Sequence, residues 1–275
     1  MEMLASVRSA LYLPASNPRA VAKARGLACD MVILDLEDAV PDAAKREARD
    51  AAVAAAAEAA GGAWGGRLLA VRVNGPDSEW HDADVAALAG RAGVDLAVLP
   101  KVDDPLVARR AAERLGTPLL GMIETPAGVH AARDIAAVHA VAGLIVGPND
   151  LAAALRIPAA AGREALAPSL HLILLAARAA GKAAFDGVYN RLDDADGFAA
   201  DCRAGRLAGF DGKTLIHPSQ IEPANRLFGP SDAEIEDARA LVAAATGGAE
   251  RFRGRMIEAM HVASARALLE RVDPS

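Results

Sequence analysis

Aromatic residues make up only 3% of this 275-residue chain, and its two cysteines, Cys29 and Cys202, are too few for a disulfide framework or a zinc cage. Both read as small buried residues. No apolar run reaches the roughly 18 residues of a transmembrane helix, and the N-terminus shows no signal-peptide pattern, so a cytoplasmic protein is expected. Basic charge is not in excess. Acids outnumber Lys and Arg by 36 to 30, the net charge is −6 and the signs are interspersed, which argues against a nucleic-acid surface. No Gly-x-Gly-x-x-Gly opens a helix and there is no P-loop, so the common phosphate-cradling motifs are excluded. Internal repeats and low-complexity linkers are missing too.

What the chain has is aliphatic. Hydrophobic residues make up 53% of it, with the excess in alanine, which predicts aliphatic strands covered by Ala-rich helices. Eight short runs read as strands: Arg8–Leu13, Met31–Leu36, Arg67–Val73, Leu96–Pro100, Leu119–Ile123, Leu144–Gly147, Ala183–Phe185 and Thr214–Ile216. Helical segments lie between them. Asn17-Pro18, Asp103-Asp104-Pro105 and Thr125-Pro126 are helix starts, with a capping residue before a proline at the first helical position. Eight strands alternating with helices predict an α/β fold, a TIM (β/α)8 barrel, with a doubly wound open sheet as the alternative. After Gly229-Pro230 the pattern is helix only, over Ser231–Thr246 and Glu258–Val272, joined by Gly247-Gly248 and the basic stretch Arg251–Arg255. The expected organisation is therefore a barrel over residues 1–229 and a C-terminal helical extension over 230–275.

In a TIM barrel the chemistry lies at the C-terminal ends of the strands. Strand five runs into Glu124, and strand six runs through Gly147-Pro148-Asn149 into Asp150. One strand-helix-strand unit separates the two acids, so they should emerge side by side. That arrangement suits one hard divalent cation held by few protein oxygens, which is the habit of Mg²⁺. Strand two delivers Asp35, Glu37 and Asp38, strand three Arg72, strand four Lys101, strand seven Asp186 and strand eight His217. Asp35 reads as a structural acid at the strand end. Glu37 and Asp38 either hold metal-bound water or orient Arg72. The planar fork of Arg72 suits a bidentate grip on a carboxylate or developing enolate, and a salt bridge to Glu37 or Asp38 is compatible with that. Lys101 offers a Schiff-base lysine as a lesser alternative. His217, before a proline, reads as a capping residue before a catalytic one. The Gly147 backbone is expected to approach a bound substrate closely.

These segments together resemble the citrate lyase β-subunit-like family of acyl-CoA lyases within the HpcH/HpaI aldolase/citrate lyase superfamily. The matching stretches, in order, are Arg8-Ser9-Ala10-Leu11-Tyr12-Leu13-Pro14-Ala15-Ser16, Ile33-Leu34-Asp35-Leu36-Glu37-Asp38-Ala39-Val40-Pro41, Arg72-Val73-Asn74, Leu99-Pro100-Lys101, Ile123-Glu124-Thr125-Pro126, Gly147-Pro148-Asn149-Asp150-Leu151, and Gly209-Phe210-Asp211-Gly212-Lys213 leading into Ile216-His217-Pro218-Ser219-Gln220-Ile221. The resemblance implies a TIM barrel that binds Mg²⁺ through Glu124 and Asp150. Arg72 would grip the keto acid, and Glu37 and Asp38 would contact metal-bound water. It also implies a homotrimer or homohexamer in which the C-terminal segment of one subunit reaches its neighbour's site. That segment commonly carries Gly-x-Met-Ile/Val-Asp, whose Asp is an acid/base. Here it reads Gly254-Arg255-Met256-Ile257-Glu258, a departure that leaves Glu258 to fill the role.

The expected function is a Mg²⁺-dependent lyase that cleaves or forms a β-hydroxyacyl-CoA such as citryl-, malyl- or citramalyl-CoA, with an acyl-CoA and a small 2-keto acid as the fragments. Lys23, with Arg25, Lys45 and Arg46, is the candidate contact for CoA phosphates, although a solvated helix face explains each as well. Two alternatives stand beside this reading: a CoA-independent class II aldolase acting on hydroxy-keto-acids, and a non-catalytic metal-binding subunit.

Overall fold

The structure, a computed structural model, describes residues 2–272. The aliphatic runs form β1 (Ser9–Pro14), β2 (Met31–Asp35), β3 (Leu68–Arg72), β4 (Leu96–Leu99), β5 (Leu119–Ile123), β6 (Val141–Val146), β7 (Ala183–Asp186) and β8 (Gly212–Leu215). A short α1 (Glu2–Ala5) precedes them. The other barrel helices are α2 (Pro18–Ala24), α3 (Lys45–Ala60), α4 (His81–Leu88), α5 (Pro105–Leu115), α6 (Pro126–Ala136), α7 (Pro148–Ala154), α8 (Ala167–Ala179), α9 (Ala195–Ala208) and α10 (Ile221–Phe228). Each strand pairs in parallel with the next, and β8 returns to β1 through Ser9↔Lys213, Ala10↔Thr214 and Leu11↔Leu215, closing the barrel. Closure leaves no unpaired edge, which disposes of the open-sheet alternative.

Strand alternation sorts the side chains into two cores. Ala10, Met31, Ile33, Ala70, Leu96, Val98, Leu120, Met122, Ile145 and Phe185 fill the inside of the barrel. Leu11, Val32, Leu34, Leu69, Val71, Leu99 and Ile123 face outward and pack under the helices, where Ala48, Ala52, Ala55 and Ala56 of α3 let the helix close on the sheet. The helix starts are where the sequence puts them. Asn17 accepts from Ala20 N, Asp104 from Leu106 N, and Thr125 from Gly128 N, each ahead of a proline. Both cysteines are buried thiols. Among the described residues no helix is long and apolar enough to cross a membrane.

Asp186 corrects one expectation. It ends β7 on the outward side, where it accepts from Lys213 Nζ at 2.9 Å and Arg163 Nη1 at 2.9 Å. Asp201 of α9 completes the cluster with Lys213 Nζ at 2.5 Å, and Lys213 is 0% exposed. Alternation turns Asp186 away from the barrel axis, so it ties strands to helices instead of serving the mouth.

The C-terminal segment is not helix only. Between α11 (Asp232–Ala244) and α12 (Ala259–Val272) it forms an antiparallel hairpin of β9 (Glu250–Phe252) and β10 (Arg255–Ile257). Arg253 (φ 47°) and Gly254 (φ 82°) make its left-handed turn. Asp237 of α11 takes both Arg253 and Arg255, and both guanidinium groups lie over the Phe252 ring. Arg253 and Arg255 of the basic stretch are thus paired within the extension. Ala238, Leu241, Ile257 and Ala265 form a small core of its own.

Candidate active site

The inward phase of the strands continues past their last aliphatic residue, and this delivers the polar side chains. Asp35 follows Met31 and Ile33, Arg72 follows Leu68 and Ala70, and Glu124 follows Leu120 and Met122. Asp35, Arg72 and Glu124 are buried at 1%, 9% and 3% exposure. With Tyr12, Asp38, Gly147 and Asp150 they line a cavity of about 320 Å³ at the C-terminal end of the barrel. A second cavity of about 560 Å³ adjoins it, sharing Asp38 and adding Glu37, Lys45, Asn74 and Lys101. A larger groove, about 1400 Å³, surrounds Arg8, Asp30 and Asn225 where the strands begin. The chemistry of this fold belongs to the other face.

Arg72 is the organiser of the mouth. Its Nε and Nη2 donate to the two Asp35 oxygens at 2.7 and 2.6 Å. Nη1 lies 3.0 Å from Glu37 Oε2 and 3.3 Å from Asp38 Oδ2. The guanidinium stands 5.1 Å over the Tyr12 ring. Burial pulls its pKa down, but the hydrogen bonds and charge of Asp35 outweigh this and hold it well above the ordinary value. The expected pairing with Glu37 and Asp38 forms at Nη1, on the cavity side, and Asp35, not read as a partner of Arg72 from the sequence, occupies the Nε–Nη2 edge of the fork. Asp35 also accepts from the backbone of Glu37 at 2.9 Å and Ala39 at 3.0 Å, so it is fully engaged.

Glu124 lies across the end of β6. Its Oε1 accepts from Lys101 N at 2.8 Å, and a Cβ on Gly147 would sit 2.4 Å from its Oε2. Gly147 therefore makes room for the Glu124 carboxylate. Burial, then the neighbouring Glu37, pushes the Glu124 pKa up to about 7. Asp150, in the first turn of α7, faces Lys101 Nζ at 3.5 Å.

Lys101 adopts a left-handed backbone (φ 51°) and extends its ammonium to Glu37 Oε1 at 2.5 Å. Burial lowers its pKa, yet Glu37 more than compensates and the net shift is upward. A Schiff-base lysine needs a neutral amine at working pH. This environment favours the ammonium and counts against that role.

Five carboxylates (Asp35, Glu37, Asp38, Glu124, Asp150) thus face two cations, Arg72 and Lys101. Glu37 Oε2 has no hydrogen-bond partner, because its approach to Arg72 Nη1 is close but out of line. Burial raises the Glu37 pKa as well. Three buried acids, Asp35, Glu37 and Glu124, beside the more exposed Asp38 and Asp150, together with an unsatisfied acceptor on Glu37, are what a divalent cation with its water would relieve, so the donor set fits Mg²⁺.

Other expected residues lie elsewhere. Lys23 is exposed in the last turn of α2, and helices here run back antiparallel to the strands, so it is carried away from the mouth toward the strand N-termini. Arg25 is paired with Glu58 and lies over Trp64. Lys45 is neither on a solvated face nor free for phosphate, since it is buried at 5% exposure. Arg46 is exposed. His217 caps the short helix over 218–220, its Nδ1 accepting from Ser219 N. Glu258 is exposed and lines neither mouth cavity within one chain. Two features escaped sequence reasoning, the Asp35–Arg72 pair and Tyr12. The inward phase of β1 and β2 was the signal that would have found both.

A closed parallel barrel with the buried Glu124 and the half-exposed Asp150 at the C-terminal ends of neighbouring strands defines a TIM-barrel protein whose polar site lies at the strand ends. The chain belongs to the HpcH/HpaI aldolase/citrate lyase family, whose model matches residues 8–218. A second model, C–C bond lyase of the TIM-barrel fold, matches residues 172–273. A (3S)-malyl-CoA thioesterase of Cereibacter sphaeroides is 44% identical over 273 residues, covering 97% of this chain and 94% of the relative. A citrate lyase subunit beta-like protein of Deinococcus radiodurans is 37% identical, covering 96% and 97%. The structure of CitE from Mycobacterium tuberculosis in complex with magnesium, acetoacetate and coenzyme A superposes with a TM-score of 0.83 at 30% identity, covering 98% of each chain.

Proposed function

We propose that this protein is a Mg²⁺-dependent acyl-CoA enzyme that cleaves or forms a β-hydroxyacyl-CoA of the malyl, citramalyl or citryl type, with an acyl-CoA and a small 2-keto acid as fragments. The carrying observation is the Glu124 and Asp150 pair beside Arg72, with Gly147 leaving space for the Glu124 carboxylate. The relative that holds magnesium, acetoacetate and coenzyme A supports the same ligand set.

In the cleavage direction the bond between the thioester α-carbon and the carbinol carbon breaks. The hydroxyl gives up its proton to water in the mouth and becomes a carbonyl, and the α-carbon takes up a proton, so the proton count balances. Glu124 and Asp150 would hold Mg²⁺, which when bound would supply Lewis-acid polarisation of the substrate oxygens. Arg72, locked by Asp35, presents Nη1 to the substrate carboxylate and steadies the developing charge. Glu37 and Asp38 accept hydrogen bonds from water in the mouth. Glu258, supplied by a second copy of the chain, protonates the α-carbon.

A second reading is hydrolysis of the thioester of the same substrate, favoured by the 44% identity to the malyl-CoA thioesterase. Malyl-CoA incubated with the protein and Mg²⁺ separates the two. Glyoxylate with acetyl-CoA marks the lyase, whereas malate with a free CoA thiol marks the thioesterase. Turnover of CoA-free hydroxy-keto-acids, with none of malyl-, citramalyl- and citryl-CoA, would overturn both in favour of a class II aldolase. No turnover of any of them would leave a metal-binding subunit.

A further inference from the structure

Lys45 is the residue whose role the proposed chemistry leaves unassigned. It opens α3, yet its side chain runs inward and its Nζ donates to three neutral oxygens: Leu36 O at 2.9 Å, Glu37 O at 2.7 Å and Asn74 Oδ1 at 2.8 Å. An ammonium has three N–H donors, so all are satisfied. The first two acceptors are consecutive backbone carbonyls. In an extended strand consecutive carbonyls point to opposite sides. Here they converge, so the chain must bend between Leu36 and Glu37, directly after β2. Two carbonyl dipoles aimed at one point repel unless a cation sits there.

That bend carries Glu37. Its carboxylate reaches Lys101 Nζ at 2.5 Å and Arg72 Nη1 at 3.0 Å from a side chain that is 8% exposed. The third acceptor is braced from behind. Asn74 Nδ2 donates to Leu36 O at 3.0 Å and to Asp84 Oδ2 at 2.6 Å, and Asp84 Oδ1 takes Arg49 Nε at 2.7 Å. A chain of buried polar groups therefore runs from α3 and α4 to the β2 end and finishes at Glu37.

We propose that Lys45 is a positioning residue for Glu37: its buried ammonium gathers the Leu36 and Glu37 carbonyls and the Asn74 side chain, and so holds the bend that aims Glu37 into the mouth. The consequence for turnover rests on the function proposed above, but the consequence for the bend does not. Lys45 also lines the 560 Å³ cavity, so a small amine from solvent can reach its place.

The experiment compares wild type, Lys45→Met, Lys45→Ala and, as a control in the same network away from the β2 end, Arg49→Met. Hydrogen exchange reads the bend directly, because Val40 N donates to Glu37 O at 3.0 Å. In Lys45→Met the Val40 amide should exchange at least tenfold faster while barrel-strand amides keep their protection. With malyl-CoA and Mg²⁺, kcat should fall by about 10²-fold, the scale expected when a group is displaced by an ångström, with KM for the thioester little changed. Propylammonium, the fragment lost in Lys45→Ala, should return part of the kcat. Arg49→Met should lower Tm yet keep kcat within about threefold, well short of that 10²-fold loss. Unchanged Val40 protection in Lys45→Met would overturn the proposal. So would a loss of activity that matches Arg49→Met at equal Tm and ignores the amine. A wild type inactive on every thioester would remove the proposed function, and the exchange measurement would still decide the role of Lys45.

Discussion

Gly147 and Glu124 are in mutual contact at the barrel mouth: a methyl group on Gly147 would stand 2.4 Å from both the Cβ and Oε2 of Glu124. Both clashes lie well inside van der Waals contact. The φ of Gly147 is −101°, so the constraint is space and not backbone conformation.

Gly147→Ala is therefore expected to push the Glu124 carboxylate off the end of β6 while leaving the backbone unstrained. Mg²⁺ affinity measured by calorimetry should fall at least tenfold, approaching that of Glu124→Gln. Overpacking of this kind costs roughly 1–3 kcal/mol, so the melting temperature should drop as well. Wild-type Mg²⁺ affinity in Gly147→Ala would show that Glu124 does not hold the ion.

The pH dependence of the cation-free protein follows from Glu124, whose pKa rises from 4.5 to about 7 on folding. The folded state then binds this proton more tightly than the unfolded chain, so its contribution to stability declines as pH rises from about 4.5 to 7 and levels off above. Mg²⁺ must displace the proton, so the ion should bind more weakly below pH 7 and release close to one proton at pH 6. The Mg²⁺-induced shift in melting temperature should accordingly be larger at pH 8 than at pH 6. In Glu124→Gln the cation-free melting temperature should vary less between pH 5 and 7; an unaltered profile would place the titration elsewhere.

Lys213 tests what holds β7 and β8 to the helices. It is fully buried between Asp186 and Asp201, and Arg163 bridges the same two acids. Lys213→Met keeps the volume but leaves two carboxylates to one guanidinium, and a broken buried pair costs about 3–5 kcal/mol. Urea unfolding should show a loss of that size. Arg226→Ala, which breaks the exposed pair with Glu222, should stay within about 0.5 kcal/mol.

Glu258 tests sharing between chains. Light scattering should give a trimer or a multiple of it. Glu258→Gln and Glu124→Gln should each be nearly inactive alone, and mixing them after subunit exchange should restore activity, since some sites then receive both intact residues. A mixture as inactive as its parts, or a monomer at micromolar concentration, would show that the extension does not complete a neighbour's site.

Much of this protein is written locally in the chain. Short aliphatic runs between capped Ala-rich helices are periodic patterns a few residues long, and they sufficed for the closed barrel and for Glu124 and Asp150 at neighbouring strand ends. The two-residue strand period even predicts that Asp35, Arg72 and Glu124 share the inner side. Pairings between distant segments are a different matter. Asp35 was legible as a strand-end acid but not as the partner that fixes Arg72, because only the pairing of β2 with β3 sets the register Asp35↔Arg72. Lys45 looks like any solvated lysine at a helix start, since the three oxygens around it come from two stretches of chain, one 8 to 9 residues before it and one 29 residues after it. Asp186 was misplaced for the same reason, its cations lying 23 and 27 residues away. The hairpin over 250–257 has strands of three residues, too short for any period to show, and it forms because α11 presents Asp237 to its arginines. The barrel's secondary structure arises from near neighbours and was decided by the sequence alone; the hairpin and the pairing of buried charges depend on which distant segments meet, and only the tertiary structure decided those.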